Sequence, residues 1–372
     1  MTIEDSIYFA PGFGSSTFAQ LKGLLFPSGT VGPMFIPGHP DMIAANTLGS
    51  TVATLIDFSG NAKNATQSTD GNRGRYGRVP KSGRRNILTQ TATLSTQTKT
   101  TTNVQHTLSF RGTGDIELSG THADTIVGTG VNDIVSLTFT PTAGSLTLTV
   151  DGDVYDAQLE IGASRSTYQL VADANGYDIT EAGSANCYYI QLDGTDDSYQ
   201  TATIDYTGTD EVTCLYSIRR LSISAVQVLY EFGSDFNSGR AWAGSIQTSG
   251  RYEQNSCTLA STAYNGYQSS VYATQHTAIL TAMYDISGTT RDTENIYNRV
   301  NGSNDKSTTT GLYSNQTVNW ENKVLNLFRR NNTSLPFNGQ FFFGAFPGRN
   351  YTLAQIQQAE SLISRLTPGV SL

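Results

Sequence analysis

The sequence predicts an all-β protein: two antiparallel β-sandwiches, an irregular N-terminal arm and one C-terminal helix. Three observations carry that expectation. Charged residues make up only 15% of the chain, against 36 Gly, 19 Tyr and 16 Phe amid abundant Ser, Thr and Asn, and aromatic and β-branched residues suit a pleated surface. Between residues 86 and 168 apolar and polar residues alternate with period two in several short runs. Asn-Gly and Asp-Gly steps then punctuate the remainder, as tight hairpins require.

At 372 residues the chain is long enough for two or three domains. A formal charge of −8 and a pI near 5.0 argue against a general nucleic-acid binder. Cys187, Cys214 and Cys257 are odd in number and widely spaced, which suits packed, reduced thiols better than a disulfide framework or a zinc site. Met1 to Asp5 lack the basic and apolar regions of a leader, so synthesis in a cytoplasm without a secretion signal is expected. No apolar run reaches the roughly 18 residues of a membrane span.

Residues 1–50 mix Gly, Pro and aromatics (Phe9, Phe13, Phe26, Phe35) without a regular period, apart from a short helix over 16–25. Such a segment cannot build its own core. It is expected to be an arm, lying on its own protein or docking into a larger assembly. Residues 51–85 contain Arg73, Arg75, Arg78, Lys81, Arg84 and Arg85, with no acid between Gly71 and Gly114. This basic stretch reads as a solvated linker, or as a contact for an acidic neighbour or an anionic polysaccharide.

From 86 to 170 the alternating runs His106–Phe110, Ile116–Leu118, Val135–Phe139, Leu146–Val150 and Tyr155–Ile161 predict a small β-sandwich. In 171–372 strands are expected at Ile190–Leu192, Val212–Ile218, Val226–Phe232, Ala278–Tyr284, Val324–Phe328 and Gln340–Phe346. Asp193-Gly194 would close the first hairpin of this larger sandwich. Asn175-Gly176, Asn265-Gly266, Asn301-Gly302 and Asn338-Gly339 would close others. A helix over 352–366 should start at a capping box, Thr352 with Gln355, and stop at Pro368-Gly369.

Several segments resemble modules of bacteriophage structural proteins. Tyr189-x-x-Leu192-Asp193-Gly194-x-Asp196-Asp197 is similar to the opening strand of concanavalin A-like (laminin G-like) lectin domains, and the Gly339-x-x-x-x-Gly344 strand and following helix resemble their end. Asp57-x-Ser59-Gly60-Asn61 through Ala65-Thr66-Gln67 resembles the run that precedes such domains. Asn86-Ile87-Leu88 with Ala157-Gln158-Leu159-Glu160-Ile161-Gly162 and Tyr168 resembles the edges of carbohydrate-binding-type jelly rolls in phage tail and fibre proteins. The resemblance implies a virion-surface protein with four parts: an anchoring arm (1–50), a basic linker (51–85), a jelly roll (86–170) and a lectin-like domain (171–372). Its partners would be other virion structural proteins and host surface polysaccharide, in a homo-oligomer that is trimeric by analogy.

The candidate chemistry is that of binding. Trp242, Tyr252, Tyr264, Tyr267 and Tyr272 lie among Ser, Thr, Asn and Gln, as rings that stack on sugars would. Phe9, Phe13, Phe26 and Phe35, with Arg73, Arg75, Arg78, Arg84 and Arg85, are the candidate assembly contacts. Asp193, Asp196 and Asp197 form an acidic turn, solvated or a calcium ligand set; no other cofactor is expected. The Glu-x-Asp-x-x-Glu pattern of retaining glucanases is absent, and His39, His106, His122 and His276 are scattered and read as structural. Glycan attachment without turnover is the leading reading. The alternatives are a structural decoration or tail adaptor, and an endoglycanase acting on capsule.

Overall fold

The computed structural model describes residues 15–83, 85–233, 239–257, 264–286, 296–310 and 318–372. The chain forms antiparallel sheets throughout and divides into two compact units, one of residues 1–76 with 187–372 and one of 77–186. The smaller unit is thus inserted into the larger.

In the larger unit an eight-stranded sheet is ordered 303–304, 296–300, 276–285, 211–220, 338–345, 186–193, 75–80, with Met34–Phe35 also pairing on Asn338–Ala345. A nine-stranded sheet is ordered 54–55, 65–66, 199–201, 325–327, 227–232, 241–246, 252–257, 264–268, 308–310. Tyr216, Ile218, Phe341 and Phe346 from the first sheet meet Tyr199, Phe232, Trp242 and Leu327 from the second in one core. The other face of the eight-stranded sheet (Leu215, Ile279, Phe343, Ala345) is covered by the helices Ser15–Leu25 and Leu353–Ser364. A sheet buried on both faces has no reason to alternate, which explains the continuous Phe341-Phe342-Phe343 run. Thr352 and Gln355 do cap the C-terminal helix reciprocally.

From residue 15 onward, the segment expected to be an arm on its own protein or in an assembly is built into this sandwich. Asp57 is its staple: Oδ1 accepts from the Met34 and Ser59 amides at 2.9 and 2.8 Å, and Oδ2 from the Ser59 hydroxyl and Lys63 amide at 2.9 and 2.8 Å. Asn61 Nδ2 donates to the Thr30 and Gly32 carbonyls. Phe26 and Phe35 are 8% and 1% exposed, so they are core residues and not assembly contacts. Phe9, Phe13 and Arg84 lie outside the described residues.

Nor is 51–85 a linker. Arg73 spends its guanidinium on the Gln67 and Ser68 carbonyls and on Asp70, Arg75 donates to the Gly49 carbonyl, and Arg78 pairs with Asp178 at 2.6 Å. Arg85 is half-buried and its Nη2 lies against Gly176.

The turn at Asp193-Gly194 does not close a hairpin. Strand Asn186–Asp193 belongs to the eight-stranded sheet and Tyr199–Thr201 to the nine-stranded one, so the acidic turn is the corner between layers. Asn301-Gly302 is a tight turn with φ of 47° and 78°, and Asn175-Gly176 joins the paired strands Gln169–Val171 and Ile179–Glu181. Asn265-Gly266 and Asn338-Gly339 lie inside strands instead. A Cβ on Gly339 would sit 2.3 Å from Phe337 Cζ and 2.4 Å from the Arg219 carbonyl oxygen, so close approach, not a turn, selects glycine there.

The smaller unit is a sandwich of a four-stranded sheet (97–101, 144–151, 115–120, 124–127) and a three-stranded sheet (154–161, 106–112, 130–139) around Leu108, Phe110, Leu118, Leu148 and Leu159. All five alternating runs are strands. The unit extends past the expected boundary at 170 to take in the 169–181 hairpin. Asn86 fixes its opening to its close: Nδ2 donates to the Ala157 and Gln169 carbonyls, and Oδ1 accepts from the Leu88 and Leu159 amides. Glu160 holds Gln158 Nε2 at 2.6 Å and the Ser166 amide at 2.8 Å, while the Tyr168 hydroxyl meets Thr91 Oγ1 at 2.8 Å. The recognisable closing motif is therefore a structural clasp.

Candidate functional site

Three of the five aromatics singled out in the sequence are buried. Trp242 and Tyr252 are 0% exposed and Tyr267 is 5% exposed, so no sugar ring can reach their faces. Period two aims Trp242 and Tyr252 into the sandwich, where Trp242 stacks on Phe232 at 5.0 Å between ring centroids. Tyr272 is part-exposed, but its hydroxyl donates to Asp305 Oδ2 at 2.6 Å and its ring stacks on His276 at 4.3 Å. Only the backbone of Tyr264 is described, as the start of strand Tyr264–Gln268.

The acidic turn brings Asp193, Asp196 and Asp197 within 4.8 Å of one another, through one oxygen each. Asp193 Oδ1 accepts the Thr195 amide and Asp197 Oδ2 accepts the Asp193 amide, at 2.7 and 2.9 Å. Burial, with the charges of Asp193 and Asp196, pushes the Asp197 carboxyl up to about 7 despite that amide. Calcium takes about six to eight oxygens. Three carboxylates, two of them already engaged with turn amides, fit that demand incompletely.

Hydrolysis needs two carboxylates about 5–10 Å apart across a sugar bond. Glu231 lies opposite Ala243, which lies opposite Asn255, and Glu253 is two residues from Asn255 on the same face. Two strand spacings across and two residues along put the Glu231 and Glu253 Cα atoms on the order of 12 Å apart. Both carboxylates are also engaged: Glu231 accepts the Asn331 amide at 2.7 Å, and Glu253 Oε1 accepts from Gln268 Nε2 at 3.2 Å. The same outer face carries Gln200 and Asn326, which bond each other at 2.7 Å.

The structure does gather a set of groups that the sequence left scattered. Where the strand Glu211–Arg220 begins and the strand Asn338–Ala345 has ended, a cleft of about 390 Å³ is lined by Asp205, Thr209, Glu211, Arg349 and Asn350, between Gly29, Gly208 and Gly348. The Thr207 hydroxyl and amide bond Asp205 Oδ1 at 2.6 and 2.9 Å and hold its carboxyl below the usual range. Glu211 Oε2 accepts the Asn350 amide at 3.0 Å. Asn350 Oδ1 accepts from Thr213 Oγ1 at 3.3 Å. Arg349 lies over the Tyr351 ring at 5.2 Å, and its Nε is buried without a hydrogen-bond partner.

Gly348 makes this arrangement possible. A Cβ there would stand 2.6 Å from Val31 Cγ2 and 2.9 Å from Tyr206 Cδ1. The Tyr206 hydroxyl donates to the Phe346 carbonyl at 2.6 Å and fixes the adjoining loop. Carboxylates, an amide and a guanidinium around one cleft can bind a polyhydroxylated ligand, with no metal or nucleophile required. No motif marked these residues, because 205–211 and 349–350 are far apart in sequence; the one legible signal is polar residues flanked by glycines at strand ends.

No protein-family model matches the chain, and no curated protein sequence matches it. Among solved structures, similarity extends to the botulinum neurotoxin serotype G binding domain, at 11% identity over 49% of this chain and 43% of that one, with a TM-score of 0.35. The heptameric SAP-like pentraxin of Limulus polyphemus shares 8% identity over 46% of this chain and 79% of its own, with a TM-score of 0.35. The CBM40 domain of Ruminococcus gnavus IT-sialidase, bound to α2,6-sialyllactose, shares 15% over 43% and 97%, with a TM-score of 0.30. The chain thus spans less than half the length of the first of these. Similarity of this order does not identify a ligand.

Proposed function

We propose that this chain is a non-enzymatic glycan-binding protein that holds a sugar in the cleft of Asp205, Glu211, Arg349 and Asn350. The observation that carries the reading is the cleft's set of acceptors and donors, which complements vicinal hydroxyls. A site without an exposed ring for stacking binds each sugar weakly, and display in several copies makes up the difference through avidity. The motif resemblance extends the proposal: the copies belong to a bacteriophage or phage-like particle, on whose surface the protein attaches to polysaccharide of the host cell.

The test is a glycan array probed with the full chain and with the Asp205→Ala/Asn350→Ala double variant. The full chain is needed because the larger unit draws on both ends of the sequence. Selective hits that the double variant loses by about tenfold or more support the reading, since one or two hydrogen bonds to charged groups are of that size. An array without selective hits overturns it and favours a role in holding neighbouring subunits. Release of reducing ends from a bound glycan would replace binding by turnover.

A further inference from the structure

The sandwich of the smaller unit is open along one side. The strand Gly130–Phe139 ends the three-stranded sheet and pairs on one side alone, with His106–Gly112. The strand Asp124–Val127 ends the four-stranded sheet, and Gly128 and Thr129 join the two strands, so the open edges of both sheets adjoin. Val127 is 60% exposed there, Val131 57% and Ile134 39%. Among the described residues, no backbone group of 131–139 bonds to anything but His106–Gly112. The core reaches this edge unfinished. Val135, Leu137 and Phe139 belong to its inward face, yet Val135 and Leu137 are only half-buried.

Natural edge strands are blunted by lysines, prolines or bulges, which keep other strands from pairing with them. A bulge beside Arg111-Gly112 does so at 130–133. The run 134–139 stays in regular register with 106–111 and holds no charge and no proline. It is also self-complementary. An antiparallel strand can pair with its own copy about a twofold axis normal to the sheet, which sets core-facing residues opposite core-facing ones. With the axis at Ser136, Val135 lies opposite Leu137 of the second copy, and Ile134 opposite its Thr138. Each half-buried side chain is then covered by the other. The nearest charge, Asp133, falls opposite Phe139 and not opposite itself. An axis at Val135 would instead set Leu137 against Asp133.

We propose that the smaller unit pairs with a second copy of this chain, edge to edge through residues 134–139, so that two three-stranded sheets become one of six strands. This goes beyond the glycan reading and does not rest on it, although a pair supplies two of the copies on which avidity depends.

Sedimentation velocity of the full chain, over about a hundredfold range of concentration, reads the association. A monomer–dimer equilibrium is expected, since one strand pair makes a small interface. Ser136 is exposed and meets its own copy at the axis. Ser136→Lys and Ser136→Glu should each weaken the dimer about fivefold, the size of like charges directly opposite across strands. Their equimolar mixture should associate at least as tightly as the parent, because opposite charges then meet. Thr149→Lys, an exposed change on the interior strand Gly144–Asp151, should leave association as it is. Far-ultraviolet circular dichroism verifies that the variants are folded. Any of three results overturns the proposal: a monomer over the whole range, a dimer that neither Ser136 variant weakens, or a mixture that associates as weakly as its components.

Discussion

Asp197 and His276 belong to the same unit, and burial acts on them in opposite senses. Burial and the neighbouring aspartates raise the Asp197 carboxyl from 3.8 to about 7. Between those values the folded protein keeps a proton that the unfolded chain has released. The contribution to stability is present below about 4 and is lost as pH rises through 7. Burial, and then the charge of Arg220, lower His276 from 6.5 to about 4. There the unfolded chain takes up a proton that the native state refuses, so stability is present above 6.5 and lost as pH falls toward 4. The two slopes oppose each other across the same interval. Urea melts at pH 4.5 and 7 should therefore separate single variants in opposite directions. Asp197→Asn should gain stability with pH relative to the parent, and His276→Gln should lose it. Parallel profiles for the two variants would refute both assignments.

At the scale of elements, the C-terminal helix is clipped to the sheet by charge as well as by its apolar face. Glu360 and Arg299 are 1% and 3% exposed, and form a two-pronged pair at 2.8 Å on each prong, with Thr281 Oγ1 donating to Glu360 Oε1 at 2.8 Å. Removing one partner strands the other charge in the interior. Glu360→Ala is expected to cost about 3–5 kcal/mol by chemical denaturation, and the double variant Arg299→Met/Glu360→Leu markedly less. A double variant no better than the single one would show that the pair contributes more than its own desolvation.

This helix was legible because capping box and apolar stripe lie within one segment, whereas its clip joins residues 61 apart and was not. The same contrast recurs elsewhere. Strands of the smaller unit announce themselves by alternation, while Thr54–Leu55 and Ala65–Thr66 are two residues long, too short to show a period. Tyrosines mislead for a different reason. Tyr252 looks like a surface ring in composition, yet it is fully buried with its hydroxyl bonded to His276. The cleft of Asp205 and Asn350 depends on a chain crossing that no local pattern encodes.

At the scale of the molecule, the order of the chain is not the order of its units. The larger sandwich begins before the smaller one and resumes after it. A fragment of residues 171–372 lacks the strands at 34–35, 54–55 and 65–66 and the covering helix at 15–25, and would expose apolar faces on both sheets. It is expected to be insoluble or partly unfolded. Residues 77–186 contain a closed core and their own clasp, and should fold alone with a single sharp thermal transition. Circular dichroism melts of the two fragments decide the matter, and the reverse ranking would show that the unit boundaries are drawn wrongly.

The clasp within 77–186 has a consequence for how such a chain can change over time. The Lys81 amide donates to the Ala185 carbonyl at 2.7 Å, so the inserted unit begins and ends at nearly one point. A module whose two ends meet behaves as a cassette. It can be exchanged for another, or deleted with a short Gly-Ser bridge from Pro80 to Cys187, which leaves the edge strand 75–80 of the host sandwich in place. Recombination at those two positions would let the host sandwich and its insert diversify independently of each other.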